Sequence, residues 1–354
     1  MLVLFNTAYR PGYLQNVLRT FFLPVGASNV FRYSIGDDLQ ASTELVKTLE
    51  GMGNARVLIC FGDRFSQGGY TFHPFRRGTL EKIESAGGKV YFTVRLGAHV
   101  SCNSTTDFTQ KLYGLAASNT GDDRLLALTS NDPLCSKDGR YAFWCNDNDI
   151  ETLLEINEHS WRAAAGEMSK TQAFKSDDKK QFVFAKCELY LKGVMKNYVV
   201  GDHPSRYEME RDDDARLSIS YFYPSQDADR KSIAKLAVLV PAGAQLLAPA
   251  ELPLDMLENR LEVPFAIEPK SDKNFFSIDV RFSSDSPEVQ LFGAKEALSL
   301  KVHETVWRQI AALLMVILYI VGAVVGSSGE VAVGEVMKGI ALVVIFFILG
   351  KKIV

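Results

Sequence analysis

Residues 215–223 read Ala-Arg-Leu-Ser-Ile-Ser-Tyr-Phe-Tyr, and this stretch decides the fold of the middle of the chain. Leu217, Ile219, Tyr221 and Tyr223 alternate with Arg216, Ser218, Ser220 and Phe222. Successive side chains of a strand point to opposite faces, so a period of two places the first set on one face. Working outward, Phe276, Ile278, Val280 and Phe282 alternate in the same way with Ser277, Asp279 and Arg281. Further short apolar runs at 181–193, 205–211, 234–241, 259–267, 289–293 and 297–302 are separated by turn residues. Strands this short and this regularly spaced predict an all-β sandwich of immunoglobulin-like architecture over residues 181–304.

Residues 1–165 have a mixed pattern and predict an α+β cytosolic domain. Pro11 can open a helix carrying Leu14, Val17, Leu18 and Phe21 at helical spacing, which Pro24 and Gly26 close. Strands are expected at 29–35, 55–61, 70–75 and 89–96. Helices are expected behind Asp37 and Asp38, around 108–117 and over 150–165. The polar run from Gly166 to Lys180 reads as a linker.

The C-terminal part has a different composition. Ile310 to Gly326, IAALLMVILYIVGAVVG, is free of charge, and a second apolar run extends from Val331 to Gly350. The first run would make a helix of about 25 Å, which Trp307 can extend. The expectation is a transmembrane hairpin over 305–354, with one span at about 307–326 and the other at about 331–350. Gly322 and Gly326 form a G-x-x-x-G spacing suited to close helix packing. Glu335 and Lys338 lie three apart in the second run, where they can pair. Lys301, Arg308, Lys351 and Lys352 flank the outer ends, which predicts two spans with both termini cytoplasmic, the membrane being the inner one if the source is bacterial. The opening MLVLFN reads as a buried strand and not as a signal peptide.

Charge agrees with that division. The chain of 354 residues has a net charge of −3, split as −5 over the first 306 residues and +2 over the last 48. An acidic body excludes a dedicated nucleic-acid binder. The 5 cysteines are widely spaced and contain no C-x-x-C pair, so reduced thiols are expected, with Cys60 inside a strand.

Residue patterns that carry recognisable chemistry are few. The histidines His73, His99, His159, His203 and His303 form no H-x-x-x-H or H-x-H pair, and His99 with Cys102 is an isolated spacing. No nucleophile elbow, Walker loop or dinucleotide fingerprint is present. Asp212, Asp213 and Asp214 suit either calcium or a hairpin turn, and the turn explains them without a ligand. The strongest ligand candidate is the set Arg32, Tyr33, Asp63, Arg64, His73, Arg76, Arg77 and Arg95, all on or beside strands of the first domain. Arginines with aromatic groups suit a phosphorylated or nucleotide ligand, through forked hydrogen bonds and stacking.

These readings favour a protein without catalytic residues, metal or cofactor. The layout, chiefly residues 307–354, resembles the two-transmembrane effectors of prokaryotic antiviral defence, and the resemblance lies in architecture alone. It implies a sensor-effector whose soluble domains bind a protein or nucleotide-like signal, after which the hairpins associate and perturb the bilayer. The alternatives are a tethered scaffold that recruits a protein through the sandwich, and a tethered enzyme whose site is assembled from dispersed residues. The expected partners are the lipid bilayer and further copies of the chain, without direct DNA binding.

Overall fold

The structure is a computed structural model. It describes residues 1–6, 11–34, 54–64, 70–87, 89–118, 142–144, 147–174, 180–191, 194–196, 206–211, 213–223, 234–254, 259–268, 271, 273–284, 290–293, 295–304 and 306–327. The expected helix behind Asp37 and Asp38, the second apolar run with Glu335 and Lys338, and Asp212 and His203 lie outside the described residues.

The first layer is a six-stranded sheet built from β1 (Leu2–Asn6), β2 (Ser28–Ser34), β3 (Arg56–Arg64), β4 (Tyr70–Ala86), β5 (Lys89–His99) and β6 (Ala142–Trp144), in the order β2-β5-β4-β3-β1-β6. Its strands pair antiparallel except β1 with β3. Helix α1 (Pro11–Phe22) covers one face, and α2 (Thr105–Ser118) packs on the other with Phe72, Val100 and Ile150. Strand β4 runs for 17 residues, far beyond the six of the sequence reading, although its second half, RRGTLEKIESA, is polar. Pro74 sits where the register with β3 shifts at Ile59 and Cys60. A bulge is one of the places where a strand tolerates a residue that cannot donate a hydrogen bond.

The expected helix over 150–165 is two pieces, α3 (Asp147–Glu151) and α4 (Ser160–Ser169). Between them Glu155 pairs with Ser101, and Asn157 with Ser160 supplies a polar start for α4. Residues 166–174 complete α4 and a turn that buries Phe174 against Phe182 and Phe184.

The remaining strands form two five-stranded sheets. One, β13-β15-β11-β8-β9, contains β8 (Phe184–Leu191), β9 (Val194–Lys196), β11 (Ala215–Phe222), β13 (Ala244–Leu246) and β15 (Arg260–Ile267). The other, β10-β18-β16-β12-β14, contains β10 (Arg206–Glu210), β12 (Ala234–Leu239), β14 (Glu251–Pro253), β16 (Phe275–Ser284) and β18 (Glu296–His303). A short parallel pair joins β7 (Lys180–Phe182) to β17 (Gln290–Phe292). Leu217, Ile219 and Tyr221 on the first sheet, with Ile278, Val280 and Leu300 on the second, belong to one buried cluster. That cluster continues without a break through Phe184 into α1 and the six-stranded sheet.

Two expectations are corrected. The chain is mostly β, in several sheets with few helices, so an α+β first domain followed by a sandwich and a helical hairpin is not its class. No described helix is long and apolar enough to cross a membrane. The last described helix is α5 (Val306–Ser327). The two-span membrane location and the transmembrane hairpin are therefore not supported.

Gly78 on β4 has a clear steric role. A Cβ there would lie 2.5 Å from Val94 Cγ1 and 2.8 Å from the carbonyl oxygen of Arg95. The second contact is backbone and cannot swing away. Gly78→Ala is expected to cost about 1–3 kcal/mol in urea unfolding, and an unchanged midpoint would show that β5 yields freely.

Candidate functional site

The eight ligand candidates of the first layer do not converge among the described residues. Arg32 is exposed on the edge strand β2, and the side chains of Tyr33 and Arg64 lie outside the described residues. Arg95 pairs with Glu81 at 2.6 Å, and Glu81 also accepts from Ser28. Arg77 points to the opposite face of the sheet and pairs with Glu151 of α3, beside Arg56. Asp63 and His73 do come together near the end of α4. Asp63 accepts the backbone N–H of Gln172 at 3.1 Å, and His73 lies among Phe61, Glu167 and Lys170.

Two groups of that corner, His73 and Cys102, are held neutral. Burial, with Lys170 adding to it and Glu167 opposing, pulls the His73 imidazole down to about 4. Burial and the carboxylate of Glu167 push the Cys102 thiol up to about 12. A thiolate is the reactive form of cysteine, so Cys102 is a poor nucleophile at neutral pH. Among the described residues no group of His, Cys, Asp and Glu could hold a metal ion.

Arg76 has a different place from the one its sequence context suggests. The bulge opposite Ile59 turns two successive side chains, Phe75 and Arg76, toward α1. The guanidinium is fully buried and donates through Nη1 to the carbonyls of Thr20 (2.5 Å) and Leu23 (2.6 Å), and through Nε to Gly97 (3.0 Å). Thr20 would ordinarily accept from the N–H four residues on, but that residue is Pro24 and has no N–H. Arg76 thus closes the C-terminus of α1, where a cation also opposes the negative end of the helix dipole. Burial pulls its pKa down to about 9, against the influence of Tyr207 and Glu188, so it stays charged at neutral pH. Beside it, burial and the Arg76 charge hold the His99 imidazole neutral.

Two further ion pairs escaped sequence reasoning because their partners are remote in the chain. Arg19 of α1 reaches Glu296 of β18, Nε to Oε1 at 3.0 Å. Arg211, whose side chain is buried, pairs with Glu304 at 3.1 Å, while its backbone N–H donates to His303. The second pair ties the base of the sandwich to the residues that enter α5. The acidic turn between β10 and β11, strands of different sheets, serves the same base: Asp213 accepts the N–H of Glu210 at 3.0 Å, a turn but not the hairpin expected there.

Among the described residues, helix α5 carries the longest series of exposed apolar side chains. Leu313, Ile317, Ile320 and Val324 form one stripe at i, i+4, i+7 and i+11, flanked by Leu314, Val316, Tyr319 and Val321, and all are exposed. Leu313 and Val324 each keep 61% of their surface open. Gly322, on the opposite side of the helix, is buried; Gly326 has no described surroundings.

No protein-family model matches the chain, and no curated protein matches it in sequence. Among solved structures the chain is similar to the crystal structure of tripeptidyl peptidase 2 (TPP II), at 10% identity and a TM-score of 0.22. The match covers 41% of this chain and 11% of that one, and is too loose to transfer a fold or an activity.

Proposed function

We propose that the chain is a non-catalytic recognition and assembly protein. In this reading the β-rich body binds a partner or signal, and copies join through α5. The observation that carries it is the open stripe of Leu313, Ile317, Ile320 and Val324. Alternate spacings of four and three residues keep an apolar seam facing a partner helix, the pattern of a coiled coil. A helix that is apolar over most of its circumference is stable only when covered. A second copy of the same helix is a self-complementary cover, as a twofold interface requires.

The short, half-buried Arg211–Glu304 connection supports the same reading, because pairing of α5 would bring two bodies into a fixed relation. The neutral corner at His73 and Cys102, and the separate commitments of Arg76, Arg77 and Arg95, speak against an enzyme or an anion cleft in the first layer. The bilayer-perturbing step of the effector expectation is set aside with the hairpin.

The test is the mass of the full chain in solution at micromolar concentration, by sedimentation or light scattering. The wild type is expected as a dimer or higher oligomer. Ile317→Glu with Ile320→Glu is expected to weaken association at least a hundredfold, since each buried apolar side chain is worth about 1.5–3 kcal/mol. Retained body structure by circular dichroism would accompany that loss. A monomeric wild type, or a double variant that assembles as the wild type does, would overturn the proposal.

A further inference from the structure

The inward face of β18 reads Glu296, Leu298, Leu300 and Val302, and all four are buried. A carboxylate therefore occupies the first inward position of a strand that is otherwise apolar on that side. Strand β16 presents Phe282 at the matching end, since Val280 lies opposite Glu296. Helix α1 closes this end of the sandwich: Phe22 packs edge-on against Phe282 at 6.1 Å, and Arg19, one turn earlier, takes the carboxylate at 3.0 Å. Glu296 keeps 6% of its side-chain surface exposed, while Arg19 keeps 46%.

We infer that Glu296 and Arg19 form a proton-controlled latch by which α1, and with it the six-stranded sheet, is fastened to the open end of the β-sandwich. The geometry sets the balance. A buried carboxylate needs several hydrogen bonds or a well-enclosed counter-charge to remain ionised, and here one half-exposed arginine supplies a single contact. Among the described residues the charged group facing Glu296 from α1 is Arg19. From β16 the same face presents Val280 and Phe282, which do not titrate. Lys295, next to it on the chain, is exposed.

The direction of the response follows. Burial, opposed by Arg19, pushes the Glu296 carboxyl up to about 7, above its ordinary 4.5. With α1 detached, the carboxyl meets water and returns toward the ordinary value. The fastened state therefore binds a proton that the detached state releases between pH 4.5 and 7. Fastening is strongest at the acid end of that window, weakens as pH rises through it, and levels off above about pH 8. Across the window the opening equilibrium changes on the order of a hundredfold.

Hydrogen–deuterium exchange of the full chain, corrected for intrinsic rates, reads this directly. The α1 amides and those of β18 are expected to lose protection between pH 5.5 and 8.5, while amides of β11 keep theirs. Glu296→Gln is expected to abolish the pH step in α1. Arg19→Gln, which leaves the carboxylate without its cation, is expected to move the step to higher pH. Protection of α1 that is level with pH in the wild type, a step that survives in Glu296→Gln, or an unmoved step in Arg19→Gln would each overturn the latch.

Discussion

Arg76→Met is expected to lower the free energy of unfolding by about 3–5 kcal/mol, one of the two largest effects of any single substitution considered. The guanidinium satisfies three carbonyls: Thr20, Leu23 and Gly97. Methionine fills most of the space but donates nothing, so these oxygens are left in a site that water does not reach. Each unmet buried acceptor costs about 1–3 kcal/mol, and relief from burying a cation offsets part of the sum. Pro24 makes the loss at Thr20 uncompensated, because no backbone N–H can take over. Arg76→Lys keeps the charge and can serve fewer carbonyls, so it is expected to fall between the two. Urea unfolding followed by circular dichroism measures all three proteins. A loss below about 1 kcal/mol for methionine would mean that the end of α1 opens to solvent.

Phe21→Ala is expected to cost about 3–5 kcal/mol. The ring is fully buried, stacks on Phe75 at 5.1 Å and meets Phe184 edge-on at 5.3 Å. Phe75 belongs to the first sheet and Phe184 to the sandwich, so the void would open at the seam between layers. Neither sheet alone can collapse into it. Phe21→Leu leaves a smaller void and is expected to be milder. Thermal unfolding by calorimetry, with a lowered but still single transition, checks the prediction. A loss near 1 kcal/mol would show that the layers close over the gap.

What could be read from the sequence, and what could not, follows from the range of the forces involved. The alternations at 215–223 and 275–283 were legible because one face of a strand is chosen locally, residue by residue. The inner-face parity of Glu296 with Leu298, Leu300 and Val302 was equally present in the sequence, and was a usable signal for a buried carboxylate. Its partner was not legible, since Arg19 lies far away in the chain and no local pattern connects them. Strand β4 was read only as far as residue 75 because the charged RRGTLEK run that follows has no apolar alternation; pairing with two flanking strands overrides that. The arginines of β3, β4 and β5 looked like one cleft because proximity along neighbouring strands says nothing about which face each side chain takes. The apolar run at 310–326 was read as a membrane span because apolarity alone does not tell a span from any other apolar helix, and no described helix is long and apolar enough to be one.

The packing of α1 also sets a timetable for synthesis. Its residues leave the ribosome early, but Phe22 and Arg19 find their partners at Phe282 and Glu296. At about 5–20 residues per second, some tens of seconds pass between the two events. For that interval the nascent chain carries Phe22 and Arg19 with part of their cover missing. Half of a closed core waits on the other half, across the distance in the chain between residues 22 and 282.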